Sequence, residues 1–334
     1  MDILKNVILL LVGFVLLVKG ADYFVEGSSS VARRLKIPSI VVGLTIVAMG
    51  TSLPELAVSL SAALSGSNEI AVSNVVGSNL FNLMVVLGVC AVISPIAVDK
   101  SVMKKEMPFM LGITALLILL FADFIMPWTG FSKTGKVVGE ISRFDGIVFL
   151  ALFAGFMLFT VEGALKHRKN NADTEEKNDK NELNIWLSIL FILGGAVAIK
   201  FGGDFVVDSA SNIATVFGMS ETLVGLTIVA LGTSLPELVT SIVAARKGET
   251  SLAIGNVVGS NIFNILLILG VSAAISPIEV IMESLVDMII VLTVSVVVFI
   301  FGKSKDKISR AEGITMVTIY VLYMAYAIIR VYAT

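Results

Sequence analysis

A stretch of 54 residues occurs twice in this chain. Residues 43–96 (GLTIVAMGTSLPELAVSLSAALSGSNEIAVSNVVGSNLFNLMVVLGVCAVISPI) align without a gap to residues 225–278 (GLTIVALGTSLPELVTSIVAARKGETSLAIGNVVGSNIFNILLILGVSAAISPI), with 34 identities. Chance does not produce such a match, so the chain is two copies of one unit. The echo extends upstream, where Ala21-Asp22-Tyr23-Phe24-Val25-Glu26 parallels Gly203-Asp204-Phe205-Val206-Val207-Asp208. The apolar run from Val7 to Val18 behind Lys5 has the look of a signal peptide, but the echo makes it the first helix of a repeated fold, to be retained.

The solvent for this fold is lipid. The chain is 56% hydrophobic and 15% charged, against about 45–50% and about 25% for soluble domains. It supplies about ten successive stretches near the roughly 20 apolar residues that a membrane-spanning helix needs. We expect an all-α integral membrane protein with ten transmembrane helices, at about 4–30, 37–65, 69–96, 105–127, 143–165, 184–213, 221–246, 250–276, 284–302 and 311–332. Residues 1–165 then form one five-helix repeat and 184–334 the second, joined by a polar linker at 166–183. Each element lies five helices from its copy. Five is odd, so the copies cross the membrane in opposite directions, as an inverted-topology repeat of the kind found in alternating-access transporters with a midplane site.

Loops after expected helices 1, 3, 5, 7 and 9 hold most of the Lys and Arg, while the opposite face has only Lys5, Lys133, Lys136, Arg143 and Arg330. The positive-inside rule therefore puts the linker in the cytoplasm and both termini outside. Nothing in this charge pattern supports nucleic-acid binding. Cys90, alone, cannot form an intrachain disulfide and reads as packing. His167, the only histidine, reads as an uninvolved loop residue.

Two carboxylates stand out inside the apolar runs. Glu55 is the only charge between Ile37 and Asn68, and Glu237 holds the same place in the second copy. An ionisable group at the bilayer centre costs at least about 2.5–3.5 kcal/mol for Asp, which makes it a functional candidate. The plainer alternative is a structural Glu bonded to backbone; its duplication, at positions that an inverted pair brings together, argues for function. Pro54 and Pro236 have no N–H, so the carbonyls of Gly50 and Gly232 lose their helical donors and the helices must distort there. The freed carbonyls then need a partner where water is scarce, either a cation or ordered water and neighbouring hydroxyls. Thr51 and Glu55 share a helical face, with Ser52 one position round, and the next helix carries Asn74, Ser78 and Asn82 at successive i+4 steps, copied as Asn256, Ser260 and Asn264. Singly such residues are more often interhelical glue; as a duplicated set they suggest ligands. An oxygen-only collection suits a hard cation, calcium better than the strictly octahedral magnesium. Two close carboxylates also repel when empty, which makes protons a natural competitor.

Gly50-Thr51-Ser52-Leu53-Pro54-Glu55 with Gly77-Ser78-Asn79-Leu80-Phe81-Asn82, and Gly232-Thr233-Ser234-Leu235-Pro236-Glu237 with Gly259-Ser260-Asn261-Ile262-Phe263-Asn264, resemble the two α-repeats of the cation/calcium exchanger superfamily, in its prokaryotic sodium/calcium exchanger-like branch. The resemblance implies that Glu55 and Glu237 hold calcium with help from Thr51 and Thr233. It implies that Ala48, Ser52, Ser78, Ala230, Ser234 and Ser260 supply oxygens to flanking sodium sites, with Asn82 and Asn264 close by. It further implies exchange of sodium for calcium by sliding of the first and sixth helices. The compact chain suggests a prokaryotic plasma membrane, and we expect a monomer without cofactors. Some members carry Asp where this chain has Asn264, and Lys19 and Lys200 in the sliding helices are a further departure, expected to snorkel or to pair with Asp22 and Asp204. The runner-up is a proton-coupled exchanger of the same fold. An intramembrane hydrolase lacks a plausible base or an HExxH motif, and a channel would need a ring of groups around a continuous pore rather than one inverted pair.

Overall fold

The computed structural model describes residues 3–121, 137–170, 183–219, 224, 227–228 and 230–333. Its principal helices are α1 (Ile3–Arg34), α2 (Ser39–Thr51), α3 (Leu53–Ser65), α4 (Glu69–Ile93), α5 (Glu106–Phe121), α6 (Arg143–Asn170), α7 (Ile185–Val216), α8 (Leu235–Arg246), α9 (Thr250–Ile275), α10 (Met282–Lys305) and α11 (Arg310–Ala333). Among the described residues seven of them are long and apolar enough to span a membrane, and α2–α3, bent by 50° around Ser52, meets the same test when the pair is taken together. The spans expected at 105–127 and 221–246 run into residues outside those described, with α5 and α8 as their described parts.

Burial sorts these helices into layers. The most apolar windows of α4 and α9 are 72% and 78% buried, against 17–33% for the other five single-helix spans. α4 and α9 are therefore the centre of the molecule, and the outer helices show apolar side chains such as Leu11, Phe144, Leu158 and Leu190 on the surface, as a lipid-facing shell does. Buried apolar residues form two clusters. The larger surrounds α4 and α9 with α5, α6, α10 and α11. The smaller belongs to α1 and α7 where they lean on α2 and α8, through Leu17, Phe24, Val25, Ile199 and Val206.

α1 and α7, equivalent in the repeat, run antiparallel. Gly13 lies against Gly202, Gly20 against Gly195, and Gly27 against Ser188. Glycine at every seventh residue leaves a groove free of side chains, and the partner's Ser188, Gly195, Gly202 and Ser209 keep the same interval. Small residues let backbones approach closely, the packing that replaces hydrophobic drive inside a membrane.

Two short antiparallel ribbons join loops across the halves. β1 (Ile96–Ala97) pairs with β4 (Lys307–Ile308), and β2 (Val137–Ile141) with β3 (Ile278–Ile281). The loops after α4 and α10 thus share one face, as do those before α6 and after α9, which is the pairing that alternate crossing requires. Matching caps close α3 and α8. Gly66 (φ +74) and Gly248 (φ +79) take the left-handed conformation that glycine adopts without steric cost. The next N–H then returns to the helix, Ser67 to Ala62 O at 2.9 Å and Glu249 to Ala244 O at 2.9 Å.

Two sequence expectations need correction. α6 does not stop at residue 165 but continues to Asn170, so the described start of the linker is helical and His167 lies in the helix's last turn. Arg168 and Lys169 suit the negative end of the helix dipole, and Lys166 pairs with Glu162 at 2.6 Å. The rest of the expected linker, 171–182, lies outside the described residues. Asp22 is not paired with Lys19, which is exposed; Lys247, arriving from the end of α8, sits 2.6 Å from Asp22 and 3.6 Å from Glu26. Lys200 does pair with Asp204 along α7. At Gly50 and Gly232 the bare Cα atoms give room to a neighbouring helix. A Cβ on Gly50 would lie 2.7 Å from the Phe24 ring, and one on Gly232 would lie 2.1 Å from Val207 Cγ2.

Candidate cation site

The site starts from the two proline-bent segments. Without an N–H at Pro54, the helix breaks at Ser52 (φ −86, ψ 9) and restarts as α3 with proline in its first turn, where proline is tolerated. Ser234 has nearly the same backbone (φ −94, ψ 6) ahead of α8. Leu56 N–H donates to Ser52 O at 3.1 Å and Leu238 N–H to Ser234 O at 3.2 Å. Each restarted helix carries its glutamate in the first turn, and both glutamates are fully buried.

The two motifs hold each other's carboxylates. Ser52 Oγ donates to Glu237 Oε1 at 2.9 Å, and Ser234 Oγ donates to Glu55 Oε1 at 3.0 Å. Ser78 on α4 lies 3.1 Å from Ser234 Oγ, and Ser260 on α9 donates to Glu237 Oε1 at 3.4 Å. Behind the carboxylates, Asn74 donates to the Glu55 carbonyl at 3.1 Å and to Ser59 Oγ at 2.9 Å. Asn256 donates to Ser241 Oγ at 2.9 Å, and its Nδ2 lies 3.5 Å from the Glu237 carbonyl. These bonds anchor α4 to α3 and α9 to α8.

One turn beyond Ser78 and Ser260 stand Asn82 and Asn264, each opening a π-helical stretch, Asn82–Val86 and Asn264–Leu269. Such wide turns recur at functional sites. Asn82 Nδ2 donates to Asn261 Oδ1 at 3.2 Å, and Asn264 Nδ2 to Asn79 Oδ1 at 3.0 Å. Asn79 and Asn261 also reach across to each other's backbone carbonyl, both at 3.4 Å.

The remaining atoms are mostly acceptors. Glu55 Oε2, Glu237 Oε2, Asn82 Oδ1 and Asn264 Oδ1 are buried with no hydrogen-bond partner among the described residues, as is the Thr233 hydroxyl. A buried polar atom left unsatisfied costs about 1–3 kcal/mol, and more when charged. Four such oxygens are matched in pairs by the repeat, and a positive charge is the partner that would offset their burial.

The other expected residues fall as follows. Thr51 is buried, its hydroxyl 3.2 Å from Val47 O and 3.1 Å from Asn256 Oδ1. The Ala48 carbonyl accepts Ser52 N–H at 3.0 Å, which leaves it one further lone pair. Ala230 lies in a short helical turn, Ala230–Gly232. Asn79, Asn261, Ser59 and Ser241 were not singled out from the sequence. Their signal was present: all four are polar positions preserved between the two copies.

The two motifs bring a pair of buried carboxylates together at the core of a duplicated, largely apolar helical fold, and likeness to known proteins makes that fold a transporter. The profile of the family described as "Sodium/calcium exchanger protein" matches residues 5–161 and 187–329, and the chain belongs to that family. It is similar to the sodium/calcium exchanger MaX1 of Methanosarcina acetivorans, 34% identical over 346 residues that cover 96% of this chain and 97% of MaX1. It is also similar to the inner membrane protein YrbG of Escherichia coli (strain K12), 37% identical over 281 residues covering 81% and 80% of the two chains. A solved structure of the sodium-calcium exchanger NCX_Mj, soaked with zero Na+ and Ca2+, superposes with a TM-score of 0.82 at 31% identity, covering 98% of this chain and 100% of that one.

Proposed function

We propose that this protein is a secondary active antiporter that exchanges calcium for sodium by alternating access, with both ions bound around Glu55 and Glu237. The observation that carries the reading is the set of four buried acceptor oxygens, on Glu55, Glu237, Asn82 and Asn264, that have no hydrogen-bond partner among the described residues. Calcium takes six to eight oxygens from carboxylates, amides and carbonyls, and two carboxylates match its charge. In this reading Thr51 and Thr233 assist at the calcium position. Ser52, Ser234, Ser78 and Ser260, with the main-chain oxygens of Ala48 and Ala230, serve the flanking sodium positions.

Ten spans in two inverted five-helix repeats, 1–165 and 184–334, account for the antiparallel α1–α7 pair and for the crossed serine–glutamate bonds. In this reading α1 and α7, packed on each other through glycine and resting on α2, α8 and the start of α9 through a smaller apolar cluster, slide as a unit over the core. The residues of this reading all come from one chain, which supports a monomer as the working unit. The basic face belongs in the cytoplasm, with both termini outside, in a prokaryotic plasma membrane.

The test is calcium-45 uptake into proteoliposomes loaded with sodium, with potassium, or with an acidic interior. Uptake is expected only with the outward sodium gradient. Uptake driven by the acidic interior would make the protein a proton-coupled exchanger, and no uptake under any gradient would remove calcium as cargo.

A further inference from the structure

Asn79 and Asn261 touch neither carboxylate, yet they determine what the centre presents to an ion. The chain of constraint starts at the backbone. A main-chain carbonyl only accepts, so the Asn261 carbonyl draws the Nδ2 of Asn79, at 3.4 Å. That leaves Asn79 Oδ1 on the other side of its amide, and an oxygen there also only accepts. Asn264 answers by turning its Nδ2 toward it, at 3.0 Å, which leaves Asn264 Oδ1 bare. The mirror sequence runs from the Asn79 carbonyl through Asn261 to Asn82. Asn79 and Asn261 are 2% and 1% exposed, so water does not compete for these bonds.

We propose that Asn79 and Asn261 are positioning residues that lock the amides of Asn264 and Asn82 with oxygen, rather than NH2, toward the cation. The inference rests on the site reading above. An amide turned by 180° would offer two N–H donors to a positive ion, converting a ligand into a repulsive group. The arrangement is crossed: each lock sits on one repeat and acts on the other, so it also ties α4 to α9 at the ion-binding level.

The experiment exploits the fact that aspartate has no wrong end. Calcium affinity of purified protein is measured by equilibrium calcium-45 binding in a low-sodium buffer, with thermal unfolding as the check on folding. Asn79→Leu and Asn261→Leu are each expected to weaken calcium at least about tenfold, the scale for groups that orient metal ligands. Adding Asn264→Asp is expected to return Asn79→Leu to within about threefold of Asn264→Asp alone, and to leave Asn261→Leu weak. Asn82→Asp is expected to rescue Asn261→Leu and not Asn79→Leu. Each aspartate adds one charge to the same centre, so only amide orientation predicts this crossed pattern. Rescue of both leucine variants by either aspartate, rescue of neither, or undiminished affinity in the leucine variants would overturn the proposal. Where Asn79→Leu does not fold, Asn79→Ser, too short to reach Asn264, takes its place. If wild type binds no calcium, the calcium reading falls while the same panel titrated with sodium, read by thermal shift against choline, still decides the positioning role. A wild type that binds neither ion overturns both.

Discussion

Glu55→Gln and Glu237→Gln are each expected to reduce sodium-driven calcium uptake to the level of protein-free liposomes. Glutamine keeps the size of the side chain and an oxygen able to accept from the crossed serine, Ser234 for Glu55 and Ser52 for Glu237. It removes one of the two negative charges and replaces the bare Oε2 with an amino group. A unit charge about 2.4 Å from a divalent ion is worth far more than the roughly 2.7 kcal/mol that separates affinities a hundredfold, even at an effective dielectric constant of about 20. A loss of at least about a hundredfold is therefore expected from either substitution alone, because one shared centre needs both carboxylates. Two independent half-sites would instead leave about half the activity. The fold is expected to survive. Burial of an uncompensated carboxylate is unfavourable, so the thermal unfolding temperature in calcium-free buffer should hold or rise, and differential scanning fluorimetry checks this on the same samples.

Gly195→Leu is expected to separate α1 from α7 and to lower both stability and transport. A Cβ at Gly195 would lie 2.7 Å from the Gly20 carbonyl and 2.8 Å from the backbone nitrogen and Cβ of Phe24. Those are mostly main-chain atoms, which cannot rotate aside as a side-chain tip can. Overpacking of this kind typically costs about 1–3 kcal/mol, and here it falls midway along the α1–α7 contact, between the Gly13–Gly202 and Gly27–Ser188 approaches. Phe24, which would be displaced, also fills the space above Gly50 beside the site. Transport should fall as well, because the Phe24 that would shift packs against Gly50 beside the site. Gly194→Leu is the control. A Cβ there meets nothing within 4 Å, so its unfolding temperature and uptake should match wild type. Equal effects at 194 and 195 would show that close α1–α7 packing is not what the glycines provide.

Duplication made the carboxylate pair legible. Glu55 by itself is one costly acid in an apolar run; a second at the same place in the copy, in an inverted arrangement, points to one shared centre. The proline break was equally legible, because a missing N–H must disrupt the helix wherever it occurs. Partner choice was not. Helical spacing puts Ser52 near Glu55 on its own turn, yet Ser52 bonds Glu237, because the antiparallel meeting of the two motifs brings the opposite carboxylate closer. Lys19 and Asp22 looked like natural partners along one helix, but the end of α8 delivers Lys247 to Asp22 across the fold. Asn79 and Asn261 escaped notice for a related reason. They lie three residues before Asn82 and Asn264, and only the crossing of α4 and α9 turns four separate amides into one network.

The measurement that tests the central claim most directly is equilibrium calcium-45 binding to purified protein across a sodium titration, in wild type and both glutamine variants. The account predicts one saturable calcium per chain, displaced by sodium and absent from Glu55→Gln and Glu237→Gln. Calcium binding that either variant retains, or that sodium does not displace, would contradict it.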